Sequence, residues 1–567
     1  MSVKVEEVNE GKIVDFMLDK CSSKKVYYVH NLTFEIFVFI NDLVKKKVKF
    51  KIISADKTVY SANLVYKGKK IELRCSLRLT MLSLSRLAKL NGKKDKGIFP
   101  YEILTEDMKD QELVNKKQFK DEKTFNIFVK QYGIKINVYE VLKEYCINDV
   151  LITKDAIIKF WDIIDKMGLK YKKRILTAAK LSIENYFNTY SKILRIIDIK
   201  IDRSLRQGYF GGRVEVFGNP REDEILLHYD WSGMYSQCMR EKVLGGKIYS
   251  SNIINSLEEP GFYWIKFKQE LYYPILPIKR DKLLFMNGIF EGWYWFEEIK
   301  LAREYGVEIL ETKKVISSQY YDYFLKDFVE KNENIRKLSP LHKQIGKNNN
   351  NTFYGRLGMD PQKLSEEILN SNDIYNKNYE KIIEINGIYL GYKRKEKSTS
   401  NITIAASITS KARIKLYKGL MEVLKVEGRP CYVDTDSIIA AFKKKKYKKI
   451  LNKQLGEVMF DKTKNDTIII EGVFSKPKTY ALKYLNNEEI TKIKGFKVVP
   501  KFEEFKNKFY ERKEIITINE IWEKRELNIC RQKITKKTKL DDLTKRKWSE
   551  DLKETTPLSE IYPNNKL

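Results

Sequence analysis

Two aspartates one residue apart, Asp434 and Asp436, sit in a short polar break between apolar runs. Cys431-Tyr432-Val433 precedes the break and Ile438-Ile439-Ala440-Ala441-Phe442 follows it. That pattern reads as a strand, a tight turn and a second strand. Side chains alternate along an extended stretch, so the two carboxylates would point the same way. Close carboxylates repel and desolvate each other, a cost that a cation between them removes. Hard oxygen donors of this kind suit Mg²⁺ or Mn²⁺, and Mg²⁺ is usually held by one or two carboxylates plus substrate phosphates. The competing reading is an Asx-rich turn with nothing bound. A third carboxylate and a phosphate-binding lysine elsewhere would decide between the two.

Asp230, at the end of the strand-like run Leu226 to Asp230, is the candidate third carboxylate. Lys343, Lys347, Asn351 and Tyr354 fall at i, i+4, i+8 and i+11, a single stripe on a helix spanning 335–355. Cation, cation, amide and aromatic suit a face that meets phosphates and bases, against the plainer reading of a solvated helix surface. The asparagine run in this helix has poor helix propensity, so something external should compensate it. Tyr209-Phe210-Gly211-Gly212-Arg213 carries paired glycines that allow a close backbone approach. In the N-terminal part, Glu35 follows a strand-like run, and Tyr145 and Asp149 share one helix face. Those residues could be half of a metal-dependent nuclease site; the alternative is surface charge.

The elements that must position these groups belong to a 567-residue chain, too long for one core, so at least two domains are expected. The net charge of +32 is spread along the chain and points to a polyanionic partner, with nucleic acid leading. Six scattered cysteines and three histidines argue against zinc ribbons, disulfide frameworks and histidine-based sites, and favour a reducing, intracellular compartment. There is no membrane-length apolar run, and the first residues lack a signal-peptide core. Aromatic-rich strands and a helix at 293–305 are expected in the region 260–330. A polar loop or small inserted subdomain is expected over 360–400, and a helix beginning at Thr409 to Arg413 should lead into the Asp434 hairpin. Lys443 to Lys449 reads as a solvated face, and the region beyond 500 as α-rich and basic.

Taken in order, these motifs resemble the family B DNA polymerases, specifically the protein-primed group of bacteriophages and linear plasmids, including mitochondrial ones. Asp230 and Tyr235 are similar to the family's Asp-x5-Tyr palm motif. Lys347, Asn351, Thr352, Tyr354 and Gly355 follow its fingers motif, with Thr352 in place of serine. Tyr432 to Ser437 is its complete Tyr-x-Asp-Thr-Asp-Ser motif. Lys478 and Tyr480 match Lys-x-Tyr, Tyr209, Gly211 and Gly212 match the Tyr-x-Gly-Gly linker, and Thr409 to Arg413 matches Thr-x2-Ala-Arg. Gly233 and Ser236 stand where the family usually has Ser and Pro.

The resemblance implies an α+β, multidomain fold. A ribonuclease-H-like, exonuclease-type domain would cover 1–170 and a linker 171–215. Palm and fingers would cover 216–500, with inserted subdomains near 250–330 and 360–405, and a thumb-like basic region 501–567. It implies template-directed DNA synthesis from dNTPs with two Mg²⁺ or Mn²⁺ ions. Asp230 and Asp436 would be the metal ligands, with Asp434 beside them. Lys347, with Lys343 one turn away, would neutralise triphosphate charge. Tyr354 and Asn351 would pack on the incoming nucleotide, and Tyr235 would lie under its sugar as a gate against a 2′-hydroxyl. Lys478 and Tyr480 would hold the primer terminus. Tyr209, Gly211, Gly212, Arg213, Thr409 and Arg413 would contact DNA. The implied partners are template and primer DNA, dNTPs and a terminal protein primer, with no membrane. The implied setting is a mitochondrial linear plasmid or a virus in host cytoplasm.

For the N-terminal domain, Asn31, Phe34 and Glu35 resemble the family's second exonuclease motif, with Glu35 in place of Asp. Ser76 and Leu77 resemble its single-strand element, and Tyr145 and Asp149 its third motif. The first motif, Asp-x-Glu, has no counterpart, so the expectation is a truncated N-terminus or an impaired 3′–5′ exonuclease. The alternative for the whole chain is a catalytically degenerate, polymerase-like DNA-binding accessory protein.

Overall fold

The computed structural model describes residues 13–560 apart from 24, 56–57, 93–95, 105–108, 120–121, 170–174, 191–193, 195–196, 371–377, 395–398, 447–458, 461–467 and 526–527. The fold is α+β and multidomain, and its largest sheets have eight, seven and four strands. Among the described residues no helix is long and apolar enough to cross a membrane.

The N-terminal part begins with β1 (Val26–Val29), α1 (Leu32–Lys45), β2 (Lys49–Ala55), β3 (Thr58–Tyr66) and β4 (Lys69–Cys75). The apolar run after Glu35 is helical: Leu32, Ile36, Phe37, Ile40 and Leu43 recur at helical spacing and are buried. Burial alternates along β2, whose Phe50 and Ile52 join those helix residues in one core. The five-residue helix α2 (Ser76–Thr80) follows β4, and the long helix α3 (Val138–Lys166) begins at an Asn137 cap.

The second sheet opens with β5 (Val214–Val216) and β6 (Glu224–Asp230), followed by α4 (Met234–Met239). An aromatic-rich unit comes next: β7 (Val243–Ser251), β8 (Gly261–Gln269), β9 (Gly288–Trp295), α5 (Phe296–Glu304) and β10 (Glu308–Asp322). Its four strands run in the order β9-β8-β10-β7. Trp293 and Trp295 thus end a strand, and the helix expected there starts at Phe296.

Helices α6 (Lys326–Ile335) and α7 (Pro340–Leu357) precede three strands, β11 (Ser365–Leu369), β12 (Lys381–Ile385) and β13 (Ile388–Lys393). The segment expected to be a polar loop or small inserted subdomain forms three strands, and it completes the N-terminal sheet in the order β1-β4-β3-β2-β11-β13-β12. Ile368, Ile388 and Leu390 share the N-terminal core, and Glu367 pairs with both Lys51 and Lys393. Sequence separation hid this, because strand partners some 300 residues apart leave no local pattern.

Helix α8 (Ile402–Lys425) leads to β14 (Arg429–Asp434), β15 (Ser437–Lys443), β16 (Ile468–Lys476), β17 (Thr479–Tyr484) and β18 (Glu489–Lys492). The resulting sheet runs β18-β17-β16-β6-β15-β14-β5, with Met459–Phe460 also paired to β6. Its central strands are buried on both faces, which is why 438–442 reads as an unbroken apolar run. Ala405, Ala406 and Ala412 let α8 pack closely in the largest core cluster. Beyond 500, among the described residues, only α9 (Phe502–Tyr510) is helical. The rest is the long hairpin of β19 (Glu514–Arg525) and β20 (Asn528–Lys539) and a short terminal pair, which corrects the expected α-rich tail. Lys443 and Lys446 make exposed pairs with Asp223 and Glu427, while 447–449 lie outside the described residues.

Candidate functional site

The strand–turn–strand reading of 431–442 corresponds to β14 and β15, and the turn is tighter than an ordinary hairpin. Asp436 N donates to Asp434 O at 2.7 Å across Thr435, whose φ is +64°. A β-branched residue in the left-handed region is strained, and it persists only where surrounding contacts over-determine it. Here they come from the linker loop: Thr435 N donates to Arg213 O at 2.8 Å. A Cβ on Gly212 would lie 2.7 Å from the Thr435 methyl, so only glycine permits this approach.

The kink interrupts the extended stretch from which a shared direction of the two carboxylates is expected. Asp434 accepts from the Tyr432 and Thr435 hydroxyls, both at 3.3 Å, and pairs with Lys478 at 3.5 Å. Asp436 lies in the turn itself. Its carbonyl accepts from Trp231 N at 2.9 Å, and its neighbour Ser437 is the register partner of Asp230. Asp230 is thereby carried to the turn by β6. Burial, followed by the charge of Asp434, raises the Asp436 carboxyl above the ordinary range, while Lys347 and Lys478 act to lower it. Helix α7 thus brings Lys347 close enough to act on Asp436.

Among the described residues no group of three His, Cys, Asp or Glu side chains is arranged to hold a metal by itself. The donor chemistry still fits a hard divalent ion: Asp230 ends β6 and Asp436 lies in the turn just before β15, the strand paired with β6, and Mg²⁺ habitually takes its other ligands from phosphates and water.

Lys343, Lys347 and Asn351 form the exposed stripe expected on α7. The opposite side explains the asparagine run without any external partner. Asn350 Nδ2 donates to Ser236 Oγ at 3.2 Å, Asn332 Nδ2 to Asn350 Oδ1 at 2.8 Å, and Asn349 Nδ2 to Asn332 Oδ1 at 3.2 Å. Ser236, where the resemblance leads one to expect proline, is a buried acceptor in that network. Gly233, with φ +71°, starts α4 in a conformation that a serine would resist. Tyr235 on α4 stacks on Tyr354 of α7 with centroids 4.7 Å apart, and the Tyr354 hydroxyl meets that of Tyr209 at 3.3 Å. Burial and the charge of Asp436 push the Tyr235 phenol up to about 12. Tyr480 packs on Tyr432 at 5.3 Å.

Three residues expected to meet DNA are turned inward. Arg213 is buried against Glu215 and Pro274 O. The Thr409 hydroxyl bonds within its own helix. Arg413 makes a two-pronged pair with Glu298 of α5 at 2.7 Å and donates to Phe210 O and Gly211 O. These side chains therefore shape the Tyr209 to Arg213 loop from behind, because a buried guanidinium needs its donors filled inside the protein. Gly211 remains exposed. Sequence reading missed Glu298, Ser236 and Asn350, and only the odd asparagine run signalled a buried network. Glu298→Ala would leave Arg413 buried without its partner, so an expected loss of about 3–5 kcal/mol should show in urea unfolding.

In the N-terminal domain Ser76 Oγ meets His30 Nδ1 at 3.0 Å. Lys96, which sequence reading did not single out, pairs with Asp149 at 3.3 Å and lies 4.9 Å from the Tyr145 ring centre. Asn31 adopts φ +68° before α1, Phe34 is exposed, and Leu77 packs on the core. Glu35 Oε2 and Asp149 Oδ1 are buried without a hydrogen-bond partner. Burial pushes the Glu35 carboxyl from 4.5 to about 7. The folded state therefore holds more protons than the unfolded chain in that window, and stability falls as pH rises through it. Glu35→Gln should raise the melting temperature at pH 8, by the equivalent of about 1 kcal/mol after allowing for solvent screening, and make no difference below pH ~4.

With the geometry in place, comparison with known proteins identifies the lineage. The profile of the family "DNA polymerase type B, organellar and viral" matches residues 20–417. The chain belongs to that family. Among relatives of this organellar and viral type B group, a probable DNA polymerase of Podospora anserina is 25% identical over 497 residues, covering 77% of this chain and 40% of that one. The DNA-directed DNA polymerase of Enterobacteria phage PRD1 is 28% identical over 251 residues, 42% of this chain and 44% of its own. The chain spans less than half the length of these type B relatives. The type B fold also matches Phi29 DNA polymerase, solved with primer-template DNA and incoming nucleotides, with a TM-score of 0.64 at 17% identity over 93% of each chain.

Proposed function

We propose that this chain carries out template-directed DNA synthesis. The observation that supports this reading is Asp230 at the end of β6, opposite Ser437 of β15 and so one register position from Asp436, with Lys347 acting on Asp436. In the reaction the primer 3′-hydroxyl oxygen bonds to the α-phosphorus of a dNTP, the bond to the β-phosphate bridging oxygen breaks, pyrophosphate leaves, and the hydroxyl proton is lost. Asp230 and Asp436 would hold divalent ions, two by the family pattern, which supply charge neutralisation on the triphosphate and activation of the hydroxyl.

The chain's own residues do the rest. Lys347, seconded by Lys343, neutralises the phosphates from the exposed face of α7. Asn351 and Tyr354 bound the nucleotide, and Tyr235, braced on Tyr354, lies beneath its sugar. Lys478, paired with Asp434, and Tyr480, packed on Tyr432, hold the primer end beside the turn. Gly211 is the exposed point of the linker loop toward DNA. By the same family pattern, the DNA would be a linear element replicated from a terminal protein primer.

Primer extension with Mg²⁺ and dNTPs tests the core of this reading. Binding of primer–template without any incorporation would replace it with the accessory-protein reading. Initiation on a hydroxyl-bearing protein without an oligonucleotide tests protein priming. For the N-terminal domain, the pairing of Lys96 with Asp149 favours strand holding over fast cleavage, and 3′-end degradation with and without Asp149→Ala measures it.

A further inference from the structure

Asn348, Asn349 and Asn350 are consecutive on α7, yet they reach different parts of the molecule. Asn349 bonds to Asn332 and Asn350 to Ser236. Asn348 reaches the N-terminal domain, where its Nδ2 donates to Thr80 O at 2.9 Å. Leu341, Ile345 and Asn348 fall at i, i+4 and i+7, a stripe of the helix distinct from the Lys343, Lys347 and Asn351 stripe. Leu341 and Ile345 are buried in one core with Leu79, Leu82 and Ile152. A third apolar residue would continue that packing, but the chain places an amide there. Gln344 Nε2 donates to Asn348 Oδ1 at 2.9 Å, which orients the amide with its donor toward Thr80.

The accepting carbonyl belongs to α2, which spans only Ser76–Thr80, so Thr80 O has no partner further along its own helix. The Thr80 hydroxyl donates to Ser76 O at 3.0 Å, and Met81 N donates to Leu77 O at 2.8 Å. Thr80 is therefore one bonded turn from Ser76 and Leu77, the pair that resembles a single-strand element. The far end of α7 is held as well. Arg206 of the linker donates to Gly358 O at 3.1 Å and Met359 O at 2.8 Å. Shortly beyond, β11 pairs with β2, and Asn370 Nδ2 donates to Val48 O at 2.6 Å. A helix is stiff over a few turns, so a shift of Lys347 or Asn351 is also a shift of Asn348.

We propose that Asn348 is a positioning residue through which a deoxynucleoside triphosphate on the Lys347 face of α7 loosens the hold of Ser76 and Leu77 on a single strand. A triphosphate that draws Lys347 toward it draws Asn348 off Thr80 O, and α2 loses the brace at its last turn. The effect is reciprocal, so a bound strand weakens nucleotide binding by the same factor. The link rests on the nucleotide and strand-holding roles proposed above.

Fluorescence anisotropy of a labelled oligothymidylate, with Mg²⁺ and with or without saturating dCTP, tests it. No template is present, so nothing is incorporated. In the natural protein dCTP should weaken oligonucleotide binding about three- to tenfold, the scale of one hydrogen bond exchanged between two states. Asn348→Leu keeps the apolar stripe and removes the donor, whereas Asn348→Asp keeps the shape and the acceptor and removes the same donor. Both should bring the ratio of the two affinities to about one. A merely structural role would lower the melting temperature of the variants and leave the ratio alone. Direct competition between dCTP and the oligonucleotide would give one ratio in all three proteins. Either result overturns the link, as does a natural protein indifferent to dCTP. Primer extension by a natural protein whose ratio is one keeps the polymerase reading and rejects the link. A ratio abolished by both variants, in a protein that extends no primer, does the reverse.

Discussion

Asp436→Asn should abolish Mg²⁺-dependent primer extension, with kcat reduced at least about a thousandfold, the kinetic equivalent of several kcal/mol. The reasoning starts from the turn. Asp436 is buried beside a like charge, and its carboxyl is held above its ordinary range, so ionised Asp436 burdens the fold unless a cation is present. Replacing it with the isosteric amide removes that burden. The variant should therefore melt at the same temperature as the natural protein or higher, and bind primer–template within about twofold. Loss of activity with gain of stability separates a functional carboxylate from a structural one. Equal incorporation by both proteins would overturn the polymerase reading, and a variant that melts early would show that Asp436 is a structural turn residue.

Lys347→Ala should lower kcat/KM for the incoming nucleotide by about 10²–10³-fold, the usual penalty for removing one preorganised donor from developing phosphate charge. Lys347 is exposed on α7, so its removal should leave melting unchanged. Lys343, one helical turn nearer the N-terminus of α7, should cost less, by about tenfold. Single-turnover kinetics with varied dNTP distinguish the two. If Lys343→Ala is the more damaging change, the triphosphate lies nearer the N-terminus of α7 than proposed. If neither changes the kinetics, the stripe is an ordinary solvated face.

The candidate carboxylates were legible in the sequence because they lie on local patterns. Val433, Asp434 and Ile438 mark strand, turn and strand within a few residues, and Lys343, Lys347 and Asn351 mark one helical face. Those periods follow from backbone geometry alone, so they survive whatever the rest of the chain does. The sequence could not say which way a side chain turns once several elements compete for it. Arg213 and Arg413 have the composition of DNA contacts, yet Glu215 and Glu298 draw them inward; Glu298 comes from more than a hundred residues away. Asp434 and Asp436 look equivalent in a string, and the strained Thr435 kink between them is braced by Gly212 and the Arg213 carbonyl. The segment 365–393 carries ordinary polar strand residues, and its place in the N-terminal sheet depends on a long-range pairing with β2. The amino-acid order by itself thus determined which groups could do chemistry and on which element each would ride. Tertiary packing decided which charges are spent on one another and which remain to meet a substrate, because burying a charge forces it to find a partner wherever the fold supplies one.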